Sequence, residues 1–264
     1  MSERIIAQHM HDRRNGWLGT VPLPATTCLL APTSLPSGKL VSDDTWARPG
    51  ASIASRLPPA RSKGFCRGSV VSQAANRALV YESALERDFA CILLADRRIA
   101  AIHDQPPPVT YRTADGVSHR HTFDFLVTTV DGRRLAFAVK PLARVEKSGI
   151  KDILALAAAQ APRDFADRFL LRTERQITKD RAFNARLILR SRRGRNDNDV
   201  ETLRQLASSL RGSVSIRELV AASGFGARGW NSVICLIDEG VLNIVANSRI
   251  DERSRVRCVA QAEG

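Results

Sequence analysis

Two short runs rich in apolar residues constrain this chain most. They are His121-Thr122-Phe123-Asp124-Phe125-Leu126-Val127 and Leu135-Ala136-Phe137-Ala138-Val139-Lys140, with Asp131-Gly132 between them. Asp-Gly between two such runs is a turn signal, so the pair reads as an antiparallel hairpin. Side chains alternate along a strand. That alternation is expected to put Phe123 and Phe125 on the side away from Asp124. On the second strand it puts Ala138 and Lys140 on one face, with Val139 turned into the core.

The flanking sequence supplies the rest of an α/β domain. Residues 81–94 read as an amphipathic helix whose buried stripe is Leu85, Phe89, Ile92 and Leu93. A short apolar stretch at 99–102 follows, broken by Gln105-Pro106-Pro107-Pro108, and Val109-Thr110-Tyr111 begins a strand before the Asp115-Gly116 turn. After Lys140-Pro141, residues 150–160 read as a helix with Ile153, Leu154 and Ala157 inward, and Phe169-Leu170-Leu171-Arg172 as a short strand. The order predicts a mixed sheet flanked by helices.

Residues 1–65 are rich in Pro, Ser, Gly and Arg without sustained periodicity and read as a loosely ordered arm. The main domain is expected over 66–190, with a boundary at the arginine-dense run 186–195 and a second domain over 196–264. In the second domain residues 200–210 read as a helix. Ser215 and Glu218 carry a capping-box pattern, and residues 228–239 form a further helix closed by Gly240. Residues 242–245 and 255–259 suit a strand pair. Helices followed by a hairpin give the sequence look of a winged helix, with Arg228, Trp230 and Asn231 at the start of its recognition helix. Such modules also dock proteins, and Trp230 suits a packed core equally.

Forty Lys and Arg against 27 Asp and Glu give a formal charge of +13. That excess attracts polyanions in a salt-dependent way, nucleic acid first and an acidic membrane second, although a high-arginine genome yields the same balance. Arg190, Arg192, Arg193 and Arg195 are the candidate phosphate contacts; a solvated linker is the plainer reading. The five cysteines are odd in number, scattered and never in a C-x-x-C pair, which argues against a zinc site or a disulfide frame and suits a reducing cytoplasm. No apolar run is long enough to span a bilayer and no signal-peptide core is present, so a soluble cytoplasmic protein is expected. Gly-rich phosphate loops, G-x-S-x-G elbows and Cys/His pairings are missing, which removes support for ATPase and acyl-transfer chemistry.

Phosphodiester hydrolysis needs a metal held by hard oxygens beside the phosphate and a cation near the developing charge. An Asp on one hairpin strand and a Lys on its partner, joined by a helix-borne Glu, offer such a set: Asp124, Lys140 and Glu86. Each has a plainer reading alone: a surface carboxylate paired with Arg, a strand-terminal lysine, a solvated helix face. Leu85-Glu86, the 121–127 run, Phe137-Ala138-Val139-Lys140-Pro141 and Phe169-Leu170-Leu171-Arg172-Thr173-Glu174 resemble, in order and spacing, the motifs of the TnsA endonucleases. These are restriction-endonuclease-like, PD-(D/E)xK subunits of heteromeric transposases, and the resemblance covers roughly residues 65–180. It implies that Glu86 matches the helix-borne acid, Asp124 the principal metal ligand and Lys140 the active-site lysine. It further implies Mg²⁺-dependent cleavage (Mn²⁺ substituting) at the 5′ ends of a transposon, beside a TnsB-like transposase and a TnsC-like ATPase regulator. Ala138 departs from the pattern, which has Glu or in some members Gln two residues before the lysine; a methyl cannot ligate a metal, so carbonyls near Ala138 and Val139 or the Glu86 carboxylate would have to serve. A non-catalytic DNA-binding or assembly subunit, and an unrelated restriction or defence nuclease, are the competing readings. His119 and His121 form a conceivable metal pair but read as ordinary polar residues, Glu174 as a surface carboxylate and Asp104 as structural.

Overall fold

The computed structural model describes residues 47–56, 66–246 and 248–259. Most of the expected N-terminal arm therefore lies outside the described residues. The part that is described, 47–56, is packed rather than loose: Gly50 bridges to Arg77, and the Ser52 hydroxyl donates to Asp104 at 2.5 Å.

The chain begins with a hairpin of β1 (Gly68–Ser72) and β2 (Arg77–Tyr81), which sequence periodicity does not reveal. Helix α1 (Ala84–Ala95) follows, its first turn closed by the Ser83 side chain accepting from the Glu86 N–H. Then come β3 (Ile99–Asp104), the hairpin β4 (Val109–Arg112) and β5 (Ser118–His121), β6 (Phe125–Thr129) and β7 (Arg134–Val139). A short turn of helix α2 (Leu142–Val145), α3 (Ile150–Gln160) and β8 (Arg168–Arg172) complete the sheet region. The central sheet has the order β3-β6-β7-β8, with β8 parallel to β7 and the other pairs antiparallel.

Both faces of this sheet are covered, which is why its strands are apolar at nearly every position. Phe125, Val127, Leu135, Phe137 and Val139 join one core cluster with α1, where Phe89 meets Phe125 and Phe137 edge-on at 5.8 and 5.1 Å. Leu126, Ala136 and Ala138 join the other cluster with Ile150, Leu154 and Ala157 of α3.

One expectation fails at the most important point. Residues 121–127 do not form one strand: β5 ends at His121, β6 begins at Phe125, and the chain bends at Asp124. The Asp124 N–H donates to Phe137 O and its carbonyl accepts from the Gln105 N–H, both at 2.9 Å. The bend breaks the alternation, so Phe123 lies in the α3-side cluster and Phe125 in the α1-side cluster instead of sharing a side.

The arginine-dense run is likewise not a linker. Its residues 186–193 belong to α4 (Lys179–Arg193), capped by Thr178 and packed against α1. Beyond it lie α5 (Asp197–Ser208), β9 (Val214–Ser215), α6 (Ile216–Ser223), α7 (Ala227–Asp238), β10 (Leu242–Ile244) and β11 (Arg255–Cys258). The expected capping box is present at Ser215 and Glu218, and the last strands form an antiparallel sheet of order β10-β11-β9. Gly229 lets α6 and α7 approach closely: a Cβ there would sit 2.7 Å from Ser223 Oγ. A single core cluster runs from α1 through α4 to α7, so the regions either side of residue 195 share a hydrophobic interior.

Arg192 fastens this junction. Its guanidinium grips the nearly buried Asp238 with two hydrogen bonds and donates to the Leu94 and Ala95 carbonyls at the end of α1. Arg192→Ala is expected to lower unfolding free energy by about 2–4 kcal/mol, because a desolvated carboxylate loses its main partner. Arg190→Ala and Arg193→Ala, at exposed sites on the same helix, should each change it by no more than about 0.5 kcal/mol in urea denaturation.

Candidate active site

The bend at Asp124 holds a carboxylate at the end of the sheet. Asp124 Oδ2 accepts from the Val139 N–H at 2.6 Å, taking the place of a ladder partner, and the residue is half-buried. Lys140 follows directly on β7, its own N–H donating to Arg172 O at 3.0 Å. Glu86 enters from the first turn of α1. Its Oε2 accepts from the Glu82 N–H at 2.7 Å and its Oε1 from the Ser83 hydroxyl at 2.9 Å.

The three sequence-derived residues thus meet electrostatically. Burial pushes the Asp124 carboxyl up to about 7, the Glu86 charge adds to that rise, and the Val139 N–H and the Lys140 ammonium oppose it. Burial also raises Glu86, against its bonds to Glu82 N–H and Ser83. Asp124 and Glu86 are thus both desolvated, and the charges of Glu86 and Lys140 act on Asp124 in opposite senses.

Sequence reasoning missed Arg56, Gln105 and Glu82 here, and set His121 aside as an ordinary polar residue. Arg56, from the segment before β1, donates to Gln105 Oε1 at 3.1 Å and pairs with Glu82 at 3.4 Å. Its charge reaches Glu86, His121 and Asp124. Gln105 is 2% exposed and adopts φ +42°, a left-handed conformation that costs a non-glycine residue about 1–2 kcal/mol. His121 packs edge-on against Phe123 at 4.8 Å; burial, then the Lys140 and Arg56 charges, drive its imidazole down to about 4, so the ring is neutral at ordinary pH. Glu82 Oε1, Gln105 Nε2 and His121 Nε2 are all buried without a hydrogen-bond partner. Asp199 Oδ2, in the C-terminal region, is another such atom. The Gln-Pro-Pro-Pro sequence announced a turn; nothing in it announced a strained glutamine.

The other candidates separate cleanly. His119 stacks on Tyr111 at 5.6 Å. Glu174 accepts from the Leu142 N–H at 2.8 Å, and Asp104, 0% exposed, accepts from Ser52, Arg77 and the Val80 N–H. Of the four arginines considered for phosphate contact, Arg192 is committed to Asp238, and Arg195 to Asp197 and Glu239, both at 2.6 Å. Arg190 and Arg193 remain exposed. The start of α7 is also largely engaged. Asn231 Nδ2 donates to Ser191 O and Gly194 O at the end of α4, and Trp230 packs on the core, so only Arg228 of that trio projects into solvent.

Among the described residues no three His, Cys, Asp or Glu side chains come together closely enough to hold an ion by themselves. The sequence-derived acids, Asp124 and Glu86, offer hard carboxylate oxygens. That set fits Mg²⁺, which commonly binds through one or two carboxylates plus waters and substrate phosphate. Comparison with models of known protein families gives no match, and comparison with characterised proteins gives none.

Asp124 supplies a test of this electrostatic picture. Its folded pKa lies above the unfolded value, so the cost of ionising it is absent below about pH 4 and grows until the pH passes about 7. Asp124→Asn, which keeps an acceptor for the Val139 N–H, should therefore raise Tm relative to wild type at pH 8 by a few degrees. The difference should shrink towards pH 5, as thermal melts at both pH values would show.

Proposed function

We propose that this chain is a metal-dependent DNA endonuclease of the TnsA type, cutting the 5′ ends of a mobile element together with a TnsB-like transposase and a TnsC-like ATPase. What carries this reading is the Asp124 carboxylate bonded to the Val139 N–H beside Lys140, with the Glu86 and Lys140 charges both acting on it. Support for a restriction-endonuclease-like core comes from the element order: a helix, then β3, β6 and β7 antiparallel, then a helix and the parallel strand β8. Support for a winged helix comes from α5, β9, α6, α7 and the β10–β11 hairpin in that order.

A bound Mg²⁺ would polarise the phosphate and lower the pKa of the attacking water. Asp124 and Glu86 would hold it, since their mutual repulsion favours a divalent cation between them. Lys140, beside them, places positive charge where a phosphate gains negative charge on the way to its transition state. Arg56 adds a second cation that reaches the same carboxylates. The proton on Asp124 competes with the metal, so the reaction runs on the ionised carboxylate.

The second reading, an assembly subunit without cleavage, draws on Ala138. Its methyl is 2% exposed and packs among the α3-side core, offering no oxygen. For the C-terminal region, the coverage of α7 by α4 favours protein docking over insertion of that helix into a DNA groove.

Wild-type protein with end-containing DNA, Mg²⁺ and the partner transposase should nick the 5′ ends. Asp124→Ala and Lys140→Ala should each lose about a hundredfold or more in rate. Equal failure of wild type and Asp124→Ala with every partner present would favour the assembly reading. The nicking rate should rise about tenfold per pH unit below the Asp124 midpoint, and more Mg²⁺ should move that midpoint to lower pH. Arg190→Ala and Arg193→Ala should each reduce the salt dependence of DNA binding by about one unit of log–log slope.

A further inference from the structure

We infer that the outward face of the β4–β5 ribbon, formed by Thr110, Arg112, Ser118 and Arg120, is a docking surface for the phosphate backbone of duplex DNA flanking the bond held at Asp124; this rests on the nuclease reading of the site. On β4, Val109 and Tyr111 are buried while Thr110 and Arg112 are exposed, so the strand turns one face to the core and the other to solvent. The register sets Arg120 opposite Thr110 and Ser118 opposite Arg112, and opposite residues share a face. Ser118 and Arg120 are exposed as well. The two arginines thus lie on one diagonal of the ladder, with Cα atoms about 7–8 Å apart, and the two hydroxyls lie on the other.

Charge and position name the occupant. Arg77, Arg186, Arg192 and Arg204 are each held in an ion pair, whereas among the described residues no carboxylate pairs with the Arg112 or Arg120 side chain. The acid nearest in sequence, Asp115 at the ribbon tip, accepts instead from the Thr113 hydroxyl at 2.5 Å and the Val117 N–H at 3.2 Å. Guanidinium and hydroxyl donors are the kinds of side chain that contact a DNA backbone, and a groove of the duplex admits a two-stranded ribbon. This ribbon is anchored to the body of the protein. The Gln160 side chain of α3 bonds the Arg112 N–H and carbonyl at 2.8 and 2.9 Å, and Tyr111 and His119 stack across the inner face. Its base joins the candidate site: β5 ends at His121, whose ring feels the Lys140 and Arg56 charges, and Asp124 follows three residues later. From His121 to Ser118 the strand covers about 10 Å, or about three base-pair steps. A duplex running from Asp124 along the ribbon brings successive phosphates past Arg120 and then Arg112. That continuity with a site for a phosphodiester favours DNA over an acidic protein segment.

Duplex affinity decides the matter, read by fluorescence anisotropy with the full chain, end-containing DNA and Ca²⁺ in place of Mg²⁺ at several salt concentrations. The double variant Arg112→Ala/Arg120→Ala should bind about tenfold more weakly than wild type, with a log–log salt slope smaller by about two units. Arg112→Lys/Arg120→Lys keeps both charges and should retain the wild-type slope. Both should melt within a few degrees of wild type, since the side chains are exposed. Arg133→Ala, at the β6–β7 turn where Arg133 pairs with Asp131, is the control and should leave affinity within about twofold. Unchanged affinity and slope in the alanine variant overturn the inference. An equal loss in the lysine variant also overturns it, because the role is then structural, and so does a wild-type chain that binds no duplex. Ribbon-dependent binding by wild-type protein that fails to cleave with its partners supports the DNA contact and counts against the nuclease alone. Cleavage by wild type, with binding indifferent to the ribbon, does the reverse.

Discussion

A carboxylate that takes a hydrogen bond from the backbone of a neighbouring strand does two things at once. At Asp124 the bond to the Val139 N–H terminates the β6–β7 ladder, and it holds a charge where the sheet offers little solvent. The bend that allows this draws on both neighbours of β6: Phe137 accepts from the Asp124 N–H, and Gln105 donates to its carbonyl. The local geometry of the site therefore depends on strands that sit either side of β6, not on the hairpin alone. Placing Glu86 opposite requires α1 to begin where it does, and the Ser83 cap with the Glu86 carboxylate returning bonds to Glu82 N–H and Ser83 fixes that start. Each Glu86 oxygen keeps a lone pair beyond the one used in capping, so the structural role of Glu86 does not exhaust its acceptors.

The charge of the chain is less of a binding surface than its total suggests. Arg77, Arg98, Arg186, Arg192, Arg195 and Arg204 all sit in ion pairs, several of them joining elements far apart in sequence. Arg192 and Arg204 bind the α7 end to α1, α4 and α5, which makes the arginine-dense run a structural clasp on one side and an exposed basic face at Arg190 and Arg193 on the other. The formal charge of +13 already offsets these acids, so the ion pairs decide where the excess is displayed and not how large it is.

Legibility from sequence followed periodicity and local caps. Helix α3 matched its expected span, the Ser215–Glu218 box formed, and the strands β7, β8, β10 and β11 lay within a residue or so of their expected positions. What failed depended on tertiary contacts. The 186–195 run is too arginine-rich to advertise an apolar stripe, yet Ala182, Ala185 and Ile188 suffice to bury α4 against α1. The hairpin β1–β2 is two-sided and half-buried, so its pattern never alternates cleanly. Asp124, Glu86 and Lys140 could be proposed from sequence because residue type and order alone suggest them. The burial of Gln105 and of the His121 ring, and the reach of Arg56 to Gln105 and Glu82, are properties of three dimensions that the sequence does not announce.

Ala138 shows why the carboxylates are arranged as they are. The even-numbered face of β7 packs against α3, where Ala136, Ala138, Leu154 and Ala157 form a closed apolar layer. A glutamate at 138 would have to leave that layer at the strand end or bury its charge within it, and the second is costly without a partner. With alanine there, β7 contributes only the Val139 N–H and the Lys140 ammonium to the site. The second carboxylate then comes from the opposite side of the sheet, through the first turn of α1, where Glu86 and the orphaned oxygen of Glu82 lie. Moving acidic groups from a strand to a helix start exchanges a rigid ligand for ones whose positions depend on a cap and on Arg56. On the proposed nuclease reading, such carboxylates would settle into their final geometry only when a cation and phosphate fill the site.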